Sequence, residues 1–248
     1  MKRDILILTA SLLLLTALFL LRLLFHPQPP PKPDLVRVVI REGLSIPQIS
    51  ELLLQAGVLS GESLSTDLEG YLFPDTYEFF AGSKAVAVAR RMGENFDTKA
   101  LPSFAKAVED RSSILPSRNL NDIIKVASLI EKEVPGSDDR RIVAGIIWKR
   151  LRNRFPIQVD SAICYVKPEP CYPVTKDDFA VDSPYNTYMY KGLPPTPISN
   201  PGLDAIIAAM SPKESPYWFY LTEPKKGRTI FSIDLDEHNK NVYRYLKR

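Results

Sequence analysis

The sequence is poor in the residues that bind metals and in the motifs that bind phosphates. Its 248 residues include two cysteines and two histidines, too few and too widely spaced for a metal site. We find no glycine-rich phosphate loop and no pattern of a Ser-His-Asp or Cys-His catalytic set. The net charge of +3 comes from scattered basic residues, which does not favour a nucleic-acid partner. These absences predict a protein without a metal, a cofactor or bound nucleic acid.

A long apolar run near the N-terminus predicts a single-pass membrane anchor. Lys2 and Arg3 precede about 17 uncharged and mostly apolar residues at 5–21, enough to span a bilayer. A cleaved signal peptide is the alternative, but bulky residues at 23–25 occupy the place of a cleavage site. The basic flank predicts that the N-terminal end stays in the cytoplasm and that the chain from Val36 onward lies outside it. The proline-rich stretch at 27–33 then forms a stiff spacer.

The two cysteines, Cys164 and Cys171, lie seven positions apart in a proline-containing segment. Outside the cytoplasm they can form a disulfide, and the sequence leaves this pairing and two free thiols equally open. In either case we expect a structural role. His238 lies on a predicted C-terminal helix, where a lone histidine is more often structural than catalytic.

Hydrophobic patterning predicts an α+β fold of short strands and amphipathic helices. We predict strands at 35–40, 155–166, 218–222 and 229–233, and helices at 45–55, 85–96, 100–111, 119–134, 138–153, 204–210 and 236–246. The strand at 155–166 is expected to expose Gln158, Asp160 and Ser161, and the last two strands to form a hairpin. Residues 183–202 are predicted to be a loop, and a structureless segment of that length is usually functional.

The helix at 119–134 carries the most informative carboxylates. Winding it at about 100° per residue places Glu133 inside an apolar arc with Val126 and Leu129. A carboxylate there is costly unless it is paired, hydrogen-bonded or protonated. Glu131 lies roughly 160° away and borders the same apolar stripe, so the periodicity leaves both glutamates as candidates. A glutamate whose pKa is raised by burial can protonate an oxygen leaving group, which makes glycosidic bond cleavage the natural reaction.

Five segments resemble the YceG-like endolytic murein transglycosylases, in the order of that family. They are LEGYLFPDTYEF at 68–79, ASLIEKE at 127–133, QVDSAICY at 158–165, SPYNTYMYKGLPPTPISNPG at 183–202 and DEHNKNV at 236–242. The resemblance runs from about residue 68 to the C-terminus and more weakly through 36–57. In that weaker part a strand and a short helix are similar to part of a LysM-type carbohydrate-binding unit, although a packing segment that binds nothing is an equal alternative.

The resemblance implies a catalytic role for Glu133, the second glutamate of the EKE run. Glu133 would protonate the β-1,4 glycosidic oxygen between N-acetylmuramic acid (MurNAc) and N-acetylglucosamine (GlcNAc). It would then accept the proton of the MurNAc C6 hydroxyl, which closes a 1,6-anhydro ring and terminates the nascent glycan strand. Substrate-binding residues around it would be Gln158, Asp160, Ser161, Tyr185, Asn186 and Thr187. For Asp160, a role as a turn residue at the strand end is the alternative.

The resemblance also implies how the chain is divided. We expect a cytoplasmic stub and transmembrane anchor at 1–26, a linker at 27–34, a truncated LysM-like βα subdomain at 35–66 and a mixed helical/β, lysozyme-like catalytic domain at 67–248. The expected partners are peptidoglycan glycan strands, the membrane and peptidoglycan synthases (penicillin-binding proteins).

The chain departs from the family at two places. The segment before residue 68 is shorter than the usual extracytoplasmic accessory region, and Thr229 stands where many members carry a histidine. Two rival functions remain open: a lysozyme-like muramidase that uses water in place of the C6 hydroxyl, and a non-catalytic, membrane-tethered peptidoglycan-binding scaffold.

Overall fold

The structure, a computed structural model, describes residues 14–22, 34–109, 119–167, 171, 174–224 and 226–246. Its contacts divide the chain into two units, Met1–Asp34 and Leu35–Arg248. In the first unit, residues 14–22 are helical. Within the described ranges, no helix has both the length and the apolar character that crossing a membrane requires. Most of the predicted anchor and all of the predicted spacer lie outside the described residues.

The second unit begins with a two-stranded antiparallel sheet. Strand β1 (Leu35–Val39) pairs with β2 (Thr76–Phe80), in a register that places Leu35 opposite Phe80. Helix α1 (Ile46–Gln55) lies between the two strands in the sequence and has a proline in its first turn. At its start, the Gln48 side chain accepts a hydrogen bond from the Ser45 backbone N–H at 3.0 Å. The sheet therefore joins a strand of the predicted LysM-like segment to a strand that follows residue 67.

A first core lies between this sheet, α1 and the next helix, α2 (Ala85–Lys99). Its central side chains, all essentially without exposed surface, are Ile46, Ile49, Leu53, Val88 and Met92. They recur at helical spacing on α1 and α2, so each helix buries one stripe and exposes the opposite face. The predicted boundary at 66/67 and the LysM likeness stay predictions.

A second core surrounds helix α4 (Leu120–Glu133), which follows α3 (Leu101–Glu109). Asn119 caps α4 by accepting the Asp122 N–H at 2.8 Å. The helix ends at Glu133 because the next residue, Val134, has an extended backbone before Pro135. The run from Val126 to Ile130 is completely buried, so α4 is covered on all sides at its middle. The covering helices are α5 (Ser137–Arg152), α6 (Asp160–Cys164) and α7 (Leu203–Met210).

The C-terminal part is the predicted hairpin and helix. Strands β3 (Phe219–Thr222) and β4 (Thr229–Ser232) pair antiparallel, and α8 (Leu235–Leu246) packs against them. The other helices predicted from patterning are also present, with ends shifted by a few residues. Residues 183–202 contain no helix or strand, as predicted.

One predicted element is wrong: residues 155–166 do not form a strand. Gln158 has a left-handed backbone with φ of +55°, which ends any extended run, and α6 begins two residues later. Gln158, Asp160 and Ser161 are therefore presented by a tight bend and a helix start. Cys164, the last residue of α6, is disulfide-bonded to Cys171. Of the two possibilities that the sequence leaves open, a disulfide and two free thiols, the structure therefore has the disulfide.

Candidate active site

Glu133, the last residue of α4, lies at the edge of the second core. The residue as a whole is half-buried, while protein atoms surround its carboxyl group. The backbone N–H of Ser161 donates to Glu133 Oε1 at 3.2 Å. Burial raises the pKa of Glu133 to about 7; contacts with Ser161 oppose this shift, and the charge of Asp160 adds to it. The carboxyl group is thus protonated for a large part of the time near neutral pH.

Glu131 occupies a different environment. Its Oε1 accepts from Arg140 Nη2 at 2.6 Å and its Oε2 accepts from the Gly202 N–H at 3.0 Å, with the carboxylate 5% exposed. Arg140 also donates to the Val134 carbonyl and to Asp204, so this ion pair ties α4 to α5 and α7. Burial raises the pKa of Glu131, while the Gly202 N–H and Arg140 oppose that rise. Both of its oxygens are engaged in structural contacts.

Asp160 and Ser161 lie beside Glu133 at the start of α6. The Tyr188 hydroxyl donates to Asp160 Oδ1 at 2.5 Å, and burial together with the Asp160 charge raises the pKa of Tyr188. The Ser161 hydroxyl is buried and, among the described residues, has no hydrogen bond of good geometry, yet its proximity helps to lower the pKa of Glu133. These two predicted residues share one small polar cluster with Glu133.

Gln158 and Thr187 hold the segment that leads into α6. The Gln158 N–H donates to the Thr187 carbonyl at 3.1 Å, and the Val159 N–H donates to the Thr187 hydroxyl at 2.9 Å. These two bonds fix the left-handed turn at Gln158 against the 183–202 loop. Thr187 is fully buried, so its contacts position neighbouring backbone.

Asn186 and Tyr185 are engaged elsewhere in the loop. The Asn186 side-chain amide donates to the carbonyls of Phe179 and Val181, and its oxygen accepts from the Tyr188 N–H. The Tyr185 hydroxyl shares a hydrogen bond with the Thr196 hydroxyl at 2.8 Å. Substrate binding by Asn186 and Tyr185 stays a prediction, and their contacts in the structure organise the loop.

Three residues near Glu133 were missed by the sequence analysis: Tyr188, Tyr220 and Thr222. The Thr222 hydroxyl donates to the backbone carbonyl of Glu133 at 3.0 Å, which fixes the end of α4 against β3. The Tyr220 hydroxyl lies in the same neighbourhood, and burial, followed by the charge of Glu133, raises its pKa strongly. Alternation along β3 puts Tyr220 and Thr222 on one face, but nothing local in the sequence says that this face meets α4.

The buried side chain of Arg150 connects the elements that surround the polar cluster of Glu133, Asp160 and Ser161. Arg150 of α5 donates to the carbonyls of Trp218 and Ile157 at 2.9 and 2.5 Å, and its guanidinium lies over the ring of Phe219. His238 stacks on the same ring, with 5.2 Å between the ring centroids, and its structural role stays a prediction. Arg150 thus binds α5 to β3 and to the bend before α6.

The described residues contain no group of three or more His, Cys, Asp or Glu side chains that could hold a metal ion. Thr229, which stands where many members of the resembled family carry a histidine, lies opposite Thr222 in the hairpin. Within the described part of the chain, the buried Thr229 hydroxyl has no hydrogen-bond partner.

The sequence matches the model of the YceG-like family over residues 16–244. It is 31% identical to the endolytic murein transglycosylase of Streptococcus pneumoniae over 182 residues, which are 71% of this chain and 32% of that relative. It is also 31% identical to the endolytic murein transglycosylase of Bacillus subtilis over 187 residues, 75% of this chain and 50% of that relative. The chain therefore spans about a third to a half of the length of these curated relatives.

A solved structure gives the same fold. The crystal structure of a YceG-like protein from Listeria monocytogenes matches with a TM-score of 0.72 at 28% sequence identity. The match covers 83% of this chain and 76% of the Listeria chain.

Proposed function

This chain belongs to the YceG-like family, and we propose that it is an endolytic murein transglycosylase. Two observations support the proposal: the relatives that carry this activity in their names, and a half-buried glutamate whose pKa is raised to about 7. The substrate is the MurNAc–GlcNAc bond of peptidoglycan glycan strands. Glu133 is the catalytic residue.

The first step is protonation of the leaving group. The Glu133 carboxyl proton passes to the glycosidic oxygen, the bond from MurNAc C1 to that oxygen breaks, and the bonding electron pair leaves with the oxygen as the GlcNAc C4 hydroxyl. Burial favours this step because it keeps Glu133 protonated well above the pH at which an exposed glutamate ionises. Positive charge develops on the MurNAc C1 and ring oxygen while Glu133 becomes a carboxylate.

The second step restores the enzyme. The MurNAc C6 hydroxyl oxygen attacks C1, its proton passes to the Glu133 carboxylate, and a 1,6-anhydro ring closes. Because the nucleophile belongs to the substrate, the reaction needs no second catalytic carboxylate and no water. Glu131 is unsuited to share the chemistry since both its oxygens are held by Arg140 and Gly202.

The raised pKa of Glu133 carries this proposal, and replacing that carboxyl group tests it. We expect the full-length Glu133→Gln variant to lose glycan cleavage while keeping the fold and the binding to sacculi. Glu94→Gln, at an exposed position on α2, is the matched control and should retain activity. Mass spectrometry of digested glycan should find 1,6-anhydroMurNAc ends. Reducing ends would favour the muramidase, and cleavage that persists in Glu133→Gln would contradict the assignment of Glu133.

The remaining features of the function are also part of the proposal. The apolar N-terminal segment anchors the chain in the inner membrane, with residues 35–248 on the periplasmic side among the peptidoglycan synthases. Gln158, Asp160 and Ser161 contact the sugar next to Glu133, and residues 185–187 shape the cleft. The segment at 35–66 contributes glycan contacts. Replacing exposed side chains of α1 should weaken pelleting with sacculi if this last assignment is right.

A further inference from the structure

The Tyr220 hydroxyl is a buried polar group that no contact in the structure explains. Among the described residues it has no hydrogen-bond partner, although its oxygen is shielded from solvent. A buried hydroxyl without a hydrogen-bond partner lowers the stability of the fold by roughly 1–3 kcal/mol. A partner that forms during the reaction cycle would explain why the protein has this hydroxyl.

The hairpin directs this hydroxyl toward the end of α4. Tyr220 and Thr222 are two positions apart on β3, so their side chains extend from the same face of the strand. The Thr222 hydroxyl contacts the Glu133 backbone carbonyl, which locates that face against Glu133. Tyr220 therefore approaches the Glu133 side chain from β3, while Ser161 approaches it from α6.

The other charged and titratable groups of this neighbourhood lie on α5, α6, α8 and the 183–202 loop. His238 of α8 stacks on Phe219, the residue before Tyr220, and burial, followed by the charge of Arg150, lowers the pKa of His238. Asp160 of α6 accepts from Tyr188 of the loop, and Arg150 of α5 donates to backbone carbonyls. Tyr220 responds electrostatically to these last three side chains as well as to Glu133. Of these side chains, Glu133 is the one whose charge changes during the proposed reaction.

We propose that the Tyr220 hydroxyl donates a hydrogen bond to the Glu133 carboxylate after Glu133 has given its proton to the leaving group. This inference rests on the proposed function. The protonated form of Glu133, which starts the reaction, needs no additional donor. Once it is ionised, the carboxylate accepts from the Ser161 N–H and from Tyr220, and it returns to the protonated form when the C6 hydroxyl delivers its proton. Tyr220 is a positioning residue in this scheme, because it acts through Glu133 and does not touch the reacting sugar.

The phenol is suited to this role because it remains a donor throughout. Burial and the nearby carboxylates raise the pKa of Tyr220, so it does not ionise when Glu133 does. A hydrogen bond to a charged group is worth about twice a neutral one, so the donor favours the ionised state of Glu133 over the protonated state. Removing it should therefore raise the pKa of Glu133.

The test compares Tyr220→Phe with the unchanged protein, using full-length chains. We expect the pH at which activity falls on the alkaline side to move upward by about one unit, from its starting point near 7. We expect kcat to fall about tenfold with KM unchanged, since the lost contact exists only after proton transfer. Tyr217→Phe is the matched control: it removes a phenol two residues before β3, where the ring stacks on Phe231 of β4, and should change neither quantity.

A second readout does not depend on catalysis. Carbon-13 NMR of the Glu133 carboxyl group, assigned by its loss in Glu133→Gln, should show its pKa rising in Tyr220→Phe. If Tyr220→Phe folds poorly, 3-fluorotyrosine at position 220 keeps the ring and strengthens the donor, so the pKa of Glu133 should fall. A pKa that stays unchanged would overturn the inference, as would a change in KM alone, which would place Tyr220 on the substrate. Since the titration needs no substrate, it still decides the role of Tyr220 if the transglycosylase assignment fails.

Discussion

Two glutamates separated by one lysine show how the same side chain serves different purposes. Glu131 is held by Arg140 and Gly202, and this pairing stabilises it as a carboxylate in spite of burial. Glu133 has no cationic side chain as a hydrogen-bond partner in the described structure, so burial dominates and its pKa rises to about 7. The helix periodicity brings both near the apolar stripe; the difference arises from what α5 and α6 place opposite each.

At the residue scale, we predict that Glu131→Gln is primarily a stability variant. It removes the more buried of the two carboxylates that pair with Arg140, which is 9% exposed, and leaves only the pair with Asp204. Weakening a buried ion pair in this way costs up to about 3 kcal/mol. Urea unfolding should show this loss in the free energy of unfolding, with the specific activity of the folded fraction preserved. Glu94→Gln should stay within about 0.5 kcal/mol of the unchanged protein. A stable Glu131→Gln protein without activity would mean that Glu131 has a chemical role.

The contacts of individual site residues could be predicted from the sequence only in part. Glu133 could be predicted as the catalytic candidate because its position in an apolar arc agrees with its place in the EKE run of the family that the sequence resembles. Thr222 could not, because its contact with the Glu133 carbonyl joins positions 89 residues apart. Asn186 and Thr187 were predicted to line the cleft from their place in a motif, whereas their described hydrogen bonds are to backbone groups.

At the scale of elements, patterning identified α1, α2, α4, α5 and α7 because each has apolar side chains that its neighbours bury. The hairpin of β3 and β4 was predictable for the same reason. The strand predicted at 155–166 is wrong because the apolar composition of that segment suits a strand, while the left-handed backbone of Gln158 depends on the Thr187 contacts. A bend imposed by tertiary contacts leaves no periodic signal in the sequence.

A buried carboxyl group, that of Glu69, links three separate segments. It accepts from the Ile46 N–H at the start of α1, from the Asn200 amide at 2.9 Å and from the Tyr165 hydroxyl at 3.1 Å. Burial raises the pKa of Glu69 to about 7, while its hydrogen bonds oppose that rise. The folded protein therefore holds this proton more tightly than the unfolded chain, in which a glutamate ionises near 4.5. The stability that follows is complete below pH 4.5 and is lost as the pH rises to about 7.

We predict that Glu69→Gln removes this dependence on pH. The comparison belongs in a Glu133→Gln background, because Glu133 titrates in the same window. In that background the free energy of unfolding should fall by about 3 kcal/mol between pH 4.5 and a pH above 7, and adding Glu69→Gln should largely abolish the fall. Urea unfolding at several pH values measures both slopes. Equal slopes would show that Glu69 is ionised in the folded protein.

The disulfide that follows α6 gives a second prediction for an element. Replacing Cys164 and Cys171 together with serine opens a short loop and should lower the free energy of unfolding by about 2 kcal/mol. Because α6 carries Asp160 and Ser161, we expect activity to fall as well. Urea unfolding and glycan digestion of the double variant, beside the oxidised parent protein, check both effects. An active double variant of unchanged stability would mean that packing alone holds α6 in place.

At the scale of the whole molecule, the two cores of residues 35–248 share their boundaries. Leu72 belongs to the first core and its neighbour Phe73 to the second. Asn200 accepts the N–H groups of Gly70 and Leu72 and donates to Glu69, which joins the 183–202 loop to the segment before β2. Neither core is closed without groups supplied from the other side.

We therefore predict that residues 35–248 unfold as one cooperative body. Native-state hydrogen exchange should give the most protected amides of α1 and of α4 the same free energy of opening, equal to the global value from urea unfolding. The chain lacking 35–57 should fail to fold, because its loss removes β1 from the sheet and uncovers Val88 and Met92 of α2. Glycan binding by this segment must therefore be tested by surface substitution, since deletion would confuse lost contacts with lost folding. The opposite outcome is a clearly lower free energy of opening for the amides of α1 than for those of α4. It would establish 35–66 as a separately folding subdomain, and the chain without 35–57 would then remain an active enzyme with weaker attachment to glycan.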